Sequence, residues 1–325
     1  MLRTATLVGL AALAPLLPFQ GSDETAPTEV QQISLRPSWE VGDSYRLEFT
    51  KTRARSQGKR EGEEMGTVTP VDVLVHGADD EGYSVRWKLG QAEFVGIDPE
   101  EMGPVADLAA MFQGVELDMH TNALGVPDKL LNEEQVRKHV NELFDRIEEL
   151  ALADGAPPAL IKQMLNPARG MVEGELLSGF LLREPGLFYF PCGLQLNVGE
   201  AVESEELIPN PFGGDPLPAT SRLLLESLDT ENGRAVVRHR LELGQGEETE
   251  RILRETFTRI AKQMGGPAPR PESLPEMLIV DETEYDVDVA TGLPRSMSYA
   301  RTTSTAGTTQ VDRVAIRVLP TEEEE

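Results

Sequence analysis

The chain has few of the residue patterns that point to a defined chemistry. Among its 325 residues there is a single cysteine, Cys192, so no intramolecular disulfide can form. The four histidines are too far apart in sequence for a zinc-ligand spacing. Gly-x-Ser-x-Gly, Ser-x-x-Lys, P-loop and dinucleotide-binding motifs are all missing. The sequence therefore predicts no catalytic residue, no metal site and no cofactor.

Basic residues are also scarce. Lys and Arg number 30 against 56 Asp and Glu, which gives a formal net charge of −26 at pH 7. This charge argues against nucleic-acid binding through a basic face and opposes adsorption to an anionic membrane. No apolar run reaches the 18 or so residues of a spanning helix, so we expect no transmembrane span in the mature chain. The partners that remain are an apolar small molecule or an envelope protein.

Residues 1–21 have the organisation of an export signal. One basic residue, Arg3, precedes an apolar stretch from Ala5 to Leu17, and the polar segment Ser22–Thr25 follows. The pattern predicts a signal peptide, then a linker over 22–38, and hence an extracytoplasmic protein, periplasmic or secreted. The cleavage region lacks a small residue at the minus-three position, which leaves an uncleaved anchor as the alternative.

Alternating apolar and polar residues predict antiparallel strands at both ends of the remaining chain. The first strand places three apolar side chains on one face, namely Tyr45, Leu47 and Phe49. The same pattern predicts hairpins over 71–89 and 221–243, and a three-stranded meander over 283–319. The second hairpin turns at Asn232-Gly233, where glycine supplies the positive φ that a tight turn requires.

Apolar residues recur every three or four positions between the two groups of strands, which predicts helices. We expect a helical insertion at about 128–183 and another helix at about 248–264, followed by a proline-rich stretch over 265–275. The predicted fold is α+β: a curved, half-barrel-like antiparallel sheet with the helical insertion packed on one side. It covers residues 39–319, and an acidic tail over 320–325 follows.

The apolar strand face needs a cover, and the stripe on the first long helix could supply it. If the cover packs loosely, an apolar ligand lies beneath it. If it packs tightly, the same residues form an ordinary core. The candidate ligand-binding residues are Tyr45, Leu47, Phe49, Trp87, Leu143, Phe144 and Ile147.

Other chemistry-bearing residues have simpler interpretations. His239 lies in phase with the apolar residues of its strand, which favours a core or interface histidine over a catalytic base. Cys192 has no histidine near it in sequence and is predicted to be structural. Asp286 and Asp288 resemble the start of a calcium loop, but Met297 stands where that loop needs its last carboxylate, so alternating surface acids explain the pair better.

The order of short motifs also suggests a family. A strand starts at Trp39-Glu40-Val41-Gly42-Asp43-Ser44-Tyr45, further motifs are Phe190-Pro191 and Val198-Gly199-Glu200, and a last strand pair contains Tyr285-Asp286-Val287-Asp288. This layout, over about 39–319, resembles an uncharacterised family of exported bacterial β-rich domains. The fold is also similar to the half-barrel lipoprotein and lipid carriers of the bacterial envelope.

That resemblance implies a sheet whose concave face holds an apolar ligand, and it carries over no binding residue. The expected function is that of an exported envelope protein acting as a non-catalytic binding or carrier module for an apolar ligand or a lipoprotein. Two alternatives stay open at this point: a protein-interaction or structural component of the envelope, and a hydrolase whose site is dispersed in the sequence.

Overall fold

Residues 31–58, 62–97, 110–173, 176–208, 210, 213–263, 277–305 and 307–320 are described by the computed structural model. An open, curved antiparallel sheet of twelve strands dominates this part of the chain, and helices pack on it. The predicted α+β class is therefore confirmed. The predicted signal peptide, the proline-rich stretch and nearly all of the acidic tail lie outside the described residues.

The strands follow one another along the sheet with few crossovers. In chain order they are β1 (Gln32–Ser34), β2 (Ser44–Gln57), β3 (Met65–Ala78), β4 (Gly82–Leu89), β5 (Glu93–Val95), β6 (Glu116–Asn122), β7 (Pro127–Leu130), β8 (Gln195–Asn197), β9 (Ala201–Ile208), β10 (Leu217–Asp229), β11 (Arg234–Leu243), β12 (Met277–Asp288), β13 (Pro294–Thr305) and β14 (Thr308–Val318). The large sheet has the order β7-β6-β4-β3-β2-β14-β13-β12-β11-β10-β9, with β5 beside β3. β1 and β8 form a separate two-stranded sheet.

The predicted hairpins and meander are all present, because each is fixed by local alternation and a turn. β3 pairs with β4, β10 pairs with β11, and β12, β13 and β14 pair in sequence. Gly233 has a φ of 61°, as its turn requires. In β2, Leu47 is fully buried while Arg46 on the opposite face is exposed, as the alternation predicts.

Five helices lie in the described ranges. The helical insertion contains α1 (Glu133–Ala153), α2 (Pro158–Glu173), α3 (Leu176–Leu181) and α4 (Arg183–Phe188), and α5 (Glu247–Gln263) joins β11 to β12. The insertion thus covers 133–188, about five residues later at each end than the predicted 128–183. It starts later because residues 128–130 belong to β7. The predicted helix over 248–264 is α5, one residue earlier.

The predicted linker over 22–38 needs correction from residue 31 onward. There the chain forms β1, and the Leu35 amide donates a hydrogen bond to the Leu194 carbonyl at 2.9 Å. Ile33 and Leu35 are 5% and 0% exposed. These two residues alternate with polar ones, so the segment pairs with β8 and buries its own apolar face instead of running free in solvent.

Two apolar cores share one face of the sheet. The larger core combines β2, β3, β4 and β6 with residues of β10, β11 and all three strands of the meander, and Phe188 at the end of α4 and the following Tyr189 pack on them. The smaller core lies between α5 and the far ends of β10, β11 and β12. Strand register places both on the same side, because Val237 in the larger core and Leu241 in the smaller core are four residues apart on β11.

Candidate functional site

Four of the seven predicted ligand-binding residues meet in the larger core. Leu47 and Trp87 are buried there, and Tyr45 and Phe49 pack against it. The Tyr189 hydroxyl lies 2.6 Å from the Tyr45 hydroxyl and accepts a hydrogen bond from the Trp87 indole nitrogen at 3.1 Å. The ring of Tyr189 also makes an edge contact with that of Trp87, with their centroids 5.9 Å apart. The protein's own tyrosine therefore lies on the predicted ligand face.

Burial keeps this aromatic group uncharged. Desolvation raises the pKa of Tyr45 well above its ordinary value, and the neighbouring Tyr189 raises it further. Desolvation likewise raises the pKa of Tyr189. Both phenols therefore keep their protons near neutral pH and act as hydrogen-bonding groups in the core.

The other three predicted residues lie on α1, away from this core. Phe144 lies under the guanidinium of Arg169, which is 5.6 Å from the ring centroid, so α1 meets α2 here. Leu143 is buried and Ile147 is half-buried, and neither belongs to the larger core among the described residues.

The cover of the strand face comes instead from α4 and the residues that follow it, including Phe188, Tyr189 and Leu196. From α1, only Val136 and Val140 reach the core. Of the predicted cover, Val140 packs against the larger core, whereas Leu143, Phe144 and Ile147 do not belong to it, and Phe144 packs under Arg169 of α2 instead. Binding of an apolar ligand among the seven residues stays a prediction.

The single cysteine is enclosed. Cys192 is 3% exposed, and its sulfur lies 3.6 Å from the Gly292 carbonyl oxygen. Burial raises the pKa of its thiol to about 12, so the reactive thiolate is not populated at neutral pH. The carboxylates of Asp286 and Asp288 bind the guanidinium groups of Arg234 and Arg295, which agrees with surface acids and not with a calcium loop.

One pair of residues has the contact that a hydrolase would use. The Ser221 hydroxyl lies 2.8 Å from Nε2 of His239, whose ring stacks on Phe190 with centroids 4.9 Å apart. Burial lowers the pKa of His239, so its ring is neutral near pH 7. Sequence reading missed the pair because no motif links residues on two strands.

Among the described residues, no carboxylate is hydrogen-bonded to His239 in the way that a catalytic triad requires. Ser221 is only 4% exposed. The nearby Asp281 is held in a two-point contact by Arg301, at 2.7 and 2.6 Å, instead of orienting the histidine. No cluster of three metal-ligating side chains occurs among the described residues. The geometry is that of a satisfied polar contact between the two cores.

The first two helices of the insertion form an antiparallel hairpin. α1 and α2 run antiparallel, since Arg169 of α2 contacts Asp145 of α1 at 2.9 Å and Arg137 near the start of α1 donates to the Val172 carbonyl near the end of α2. We call residues 150–168, where the two helices join, the hairpin tip. Within the described ranges, no helix is long and apolar enough to span a membrane.

The hairpin tip is nearly free of charge and exposes apolar side chains. Its 19 residues include only Asp154 and Lys162, whereas the chain average of 26% charged residues would give about five. Leu152, Leu160 and Met164 are 44%, 48% and 69% exposed. The sequence carries this signal as an uncharged run from Gly155 to Ile161, which helix periodicity alone passes over.

Comparison with known proteins leaves the family open. No family model matches the chain, and no curated protein matches it. A solved structure of lipovitellin, concerned with lipid–protein interactions, aligns with a TM-score of 0.46 and 10% identity over 86% of this chain and 25% of that one. An outer membrane channel from Pseudomonas putida F1 aligns with a TM-score of 0.15 and 6% identity, over 91% of this chain and all of that one.

The chain spans about a quarter of the lipovitellin chain. At these TM-scores neither similarity bears on the function of this protein. The resemblance to exported bacterial β-rich domains therefore stays a prediction from the sequence.

Proposed function

We propose that the protein is an extracytoplasmic, non-catalytic binding module that attaches to an uncharged lipid surface through its hairpin tip. The hairpin tip carries the proposal, since it combines three exposed apolar side chains with almost no charge, as a segment that contacts a lipid interface does. The N-terminal pattern over residues 1–21 supports the extracytoplasmic location.

The energetics fit reversible attachment. Full burial of a leucine or methionine side chain contributes about 1.5–3 kcal/mol, and the three tip side chains are each about half exposed. Moving them into a lipid interface would therefore contribute roughly 3 kcal/mol in all. That is enough for weak binding by one molecule, and not for permanent anchoring.

Charge selects the type of lipid. The tip carries one acid and one base, Asp154 and Lys162, so it has no net charge of its own. The rest of the chain brings the total to −26, which repels anionic headgroups over about a Debye length. A zwitterionic surface allows the apolar contact without that repulsion.

Vesicle flotation tests the proposal. We expect the protein to float with phosphatidylcholine vesicles, and to float less as phosphatidylglycerol replaces phosphatidylcholine. The tip variant Met164→Glu should stay at the bottom of the gradient, because its charge would have to enter the interface; the native methionine is 69% exposed. The matched control is Leu207→Glu on β9, where the native leucine is 70% exposed, and it should float like the parent protein.

Two results would contradict attachment through the tip. One is failure of the folded parent protein to float with phosphatidylcholine, and the other is equal loss of flotation in the tip variant and in Leu207→Glu. Circular dichroism of each variant separates lost attachment from lost folding.

A carrier for a single apolar molecule is the second candidate, and it follows from the aromatic face of β2 and β4. Such a molecule would have to displace the end of α4, because Leu47, Trp87 and Tyr189 are 0–2% exposed. A co-purifying apolar mass in native mass spectrometry, together with saturable displacement of a fluorescent fatty acid, would favour the carrier over the surface-attached module.

A further inference from the structure

The strand β9 ends the sheet and leaves one edge open. It pairs with β10 along its whole length, and no strand in the described ranges pairs with its other edge. All six residues from 202 to 207 are exposed, and Val202 and Leu207 are 53% and 70% exposed. An edge of this kind presents unpaired backbone N–H and C=O groups to any extended chain that fits it.

A cleft of about 650 Å³ lies against the same strand. Its walls are the end of β9, the start of β10 and the connection from β11 to α5. These walls consist of Glu205, Glu206, Leu207, Pro218, Ala219, Thr220 and residues 244–249. No lysine or arginine is among these lining residues. Glu205, Glu206 and Glu247 form no salt bridge with lysine or arginine in the part of the chain that the structure describes, although the charge of Glu206 acts on His239. Glu248 binds Arg251 at 2.8 Å.

We propose that β9 binds an extended, basic segment of a partner protein as an added strand of the sheet. The backbone of β9 would supply the hydrogen bonds, and its side chains would select the partner. Glu205 faces one side of the strand and Glu206 faces the other, so lysine or arginine on either face of the added strand meets a carboxylate. Glu203 lies on the same side as Glu205 and is already 3.8 Å from the guanidinium of Arg222 on β10. Val202 and Leu207 offer apolar contacts at the two ends.

A second copy of this chain fits the edge poorly. Two β9 strands placed side by side would oppose three glutamates with three glutamates, and like charges on neighbouring strands are destabilising. The acidic edge therefore blocks self-association while it admits a basic strand. This inference goes beyond the lipid attachment proposed above and does not depend on it.

Peptide binding to the full-length protein tests the inference. The probe is a seven-residue peptide of alternating Lys and Val with blocked ends. Isothermal titration calorimetry measures its affinity and stoichiometry. We expect saturable binding of one peptide per chain. The same peptide with N-methyl groups on two consecutive central residues cannot pair through either edge, and its affinity should fall about tenfold or more. A peptide of alternating Glu and Val should not bind.

Matched variants identify the surface. Glu205→Gln/Glu206→Gln should weaken binding of the Lys-Val peptide about tenfold, because two of the facing carboxylates are lost. Glu81→Gln/Glu231→Gln removes the same charge from two exposed hairpin turns and should leave binding unchanged.

Four outcomes would overturn the proposal. Equal affinity for the N-methylated peptide would show adsorption by charge alone. Equal weakening in the two double variants would show that only the net charge matters. A parent protein that binds no Lys-Val peptide would leave no role for the basic partner. A parent protein with the molar mass of a dimer in light scattering, paired through β9, would do the same.

Discussion

Tyr189 closes the larger core over the sheet, and its hydroxyl is shared by two partners. It accepts the hydrogen bond of the Trp87 indole and lies 2.6 Å from the Tyr45 hydroxyl. Tyr189→Phe keeps the ring and removes the hydroxyl, so the Trp87 indole nitrogen and the Tyr45 hydroxyl both lose this hydrogen-bond partner. We expect the free energy of unfolding to fall by about 1–3 kcal/mol, measured by urea denaturation.

Tyr83→Phe is the control for that variant. The Tyr83 hydroxyl makes no hydrogen bond with any described residue, although its ring contacts Trp39 at 5.2 Å. Its loss should change the free energy of unfolding by about 0.5 kcal/mol or less. Equal effects from the two substitutions would show that the shared hydroxyl does not stabilise the core.

His239 makes stability depend on pH. Burial lowers its pKa in the folded protein below the value of about 6.5 expected in the unfolded chain, an effect that the negative charges of Glu206 and Asp281 oppose. The unfolded state therefore binds more protons as the pH falls below about 6.5. The contribution of neutral His239 to the free energy of unfolding is therefore complete above about pH 6.5 and is lost as the pH falls through the pKa of the folded protein.

We expect His239→Gln to flatten part of this dependence. Chemical denaturation of both proteins between pH 7.5 and 5 should give a difference in unfolding free energy that changes with pH as the histidine titrates. A difference that stays constant across this range would contradict the lowered pKa of His239.

At the scale of elements, two turns with the same backbone requirement differ in what surrounds them. Gly233 in the β10–β11 turn and Gly292 in the β12–β13 turn have φ values of 61° and 69°. A Cβ on Gly233 would meet no atom within 4 Å, whereas one on Gly292 would lie 2.2 Å from the Arg36 carbonyl oxygen. The second turn thus fixes the chain that leads into β2.

The glycine pair gives a prediction with its own control. Gly233→Ala should cost about 1–2 kcal/mol, from backbone strain alone. Gly292→Ala should cost at least about 1–3 kcal/mol more, because the backbone near Arg36 must move. Thermal and urea unfolding of both variants check the order. Equal losses would mean that residues 36–38 are not held against this turn.

At the scale of the whole molecule, the N-terminal pattern makes a prediction about processing. If residues 1–21 are removed on export, the chain loses one positive charge, Arg3, and its formal net charge becomes 29 − 56 = −27. We expect the mature protein to begin between Gly21 and Pro27 and to be found outside the cytoplasm. Intact-mass measurement of protein from envelope and culture fractions tests this. A full-length cytoplasmic chain would end the export hypothesis and the location proposed above.

Much of the sheet could be predicted from the sequence, whereas little of the candidate surfaces could. Alternation over a few residues identified β2, β3, β4 and the meander, because a strand with one buried face must repeat every second residue. The same reasoning placed β1 in a linker, since three residues are too short to show a period. It also identified the apolar stripe of α1 without showing which element that stripe contacts.

Local patterns in the sequence predict the long strands β2, β3, β4 and β10–β14, their turns and the helical segments, because each depends on residues near one another in the chain. They did not predict β5, β6, β7 or β9. The tertiary structure decided that α4 and Tyr189 cover the sheet where α1 was expected, and that Ser221 meets His239. It also places β9 at the end of the sheet, with no strand of the described ranges on its outer edge, and exposes the apolar side chains of the hairpin tip. These features depend on contacts between distant segments, and a local pattern of apolar residues states only that a face is buried, not which partner buries it.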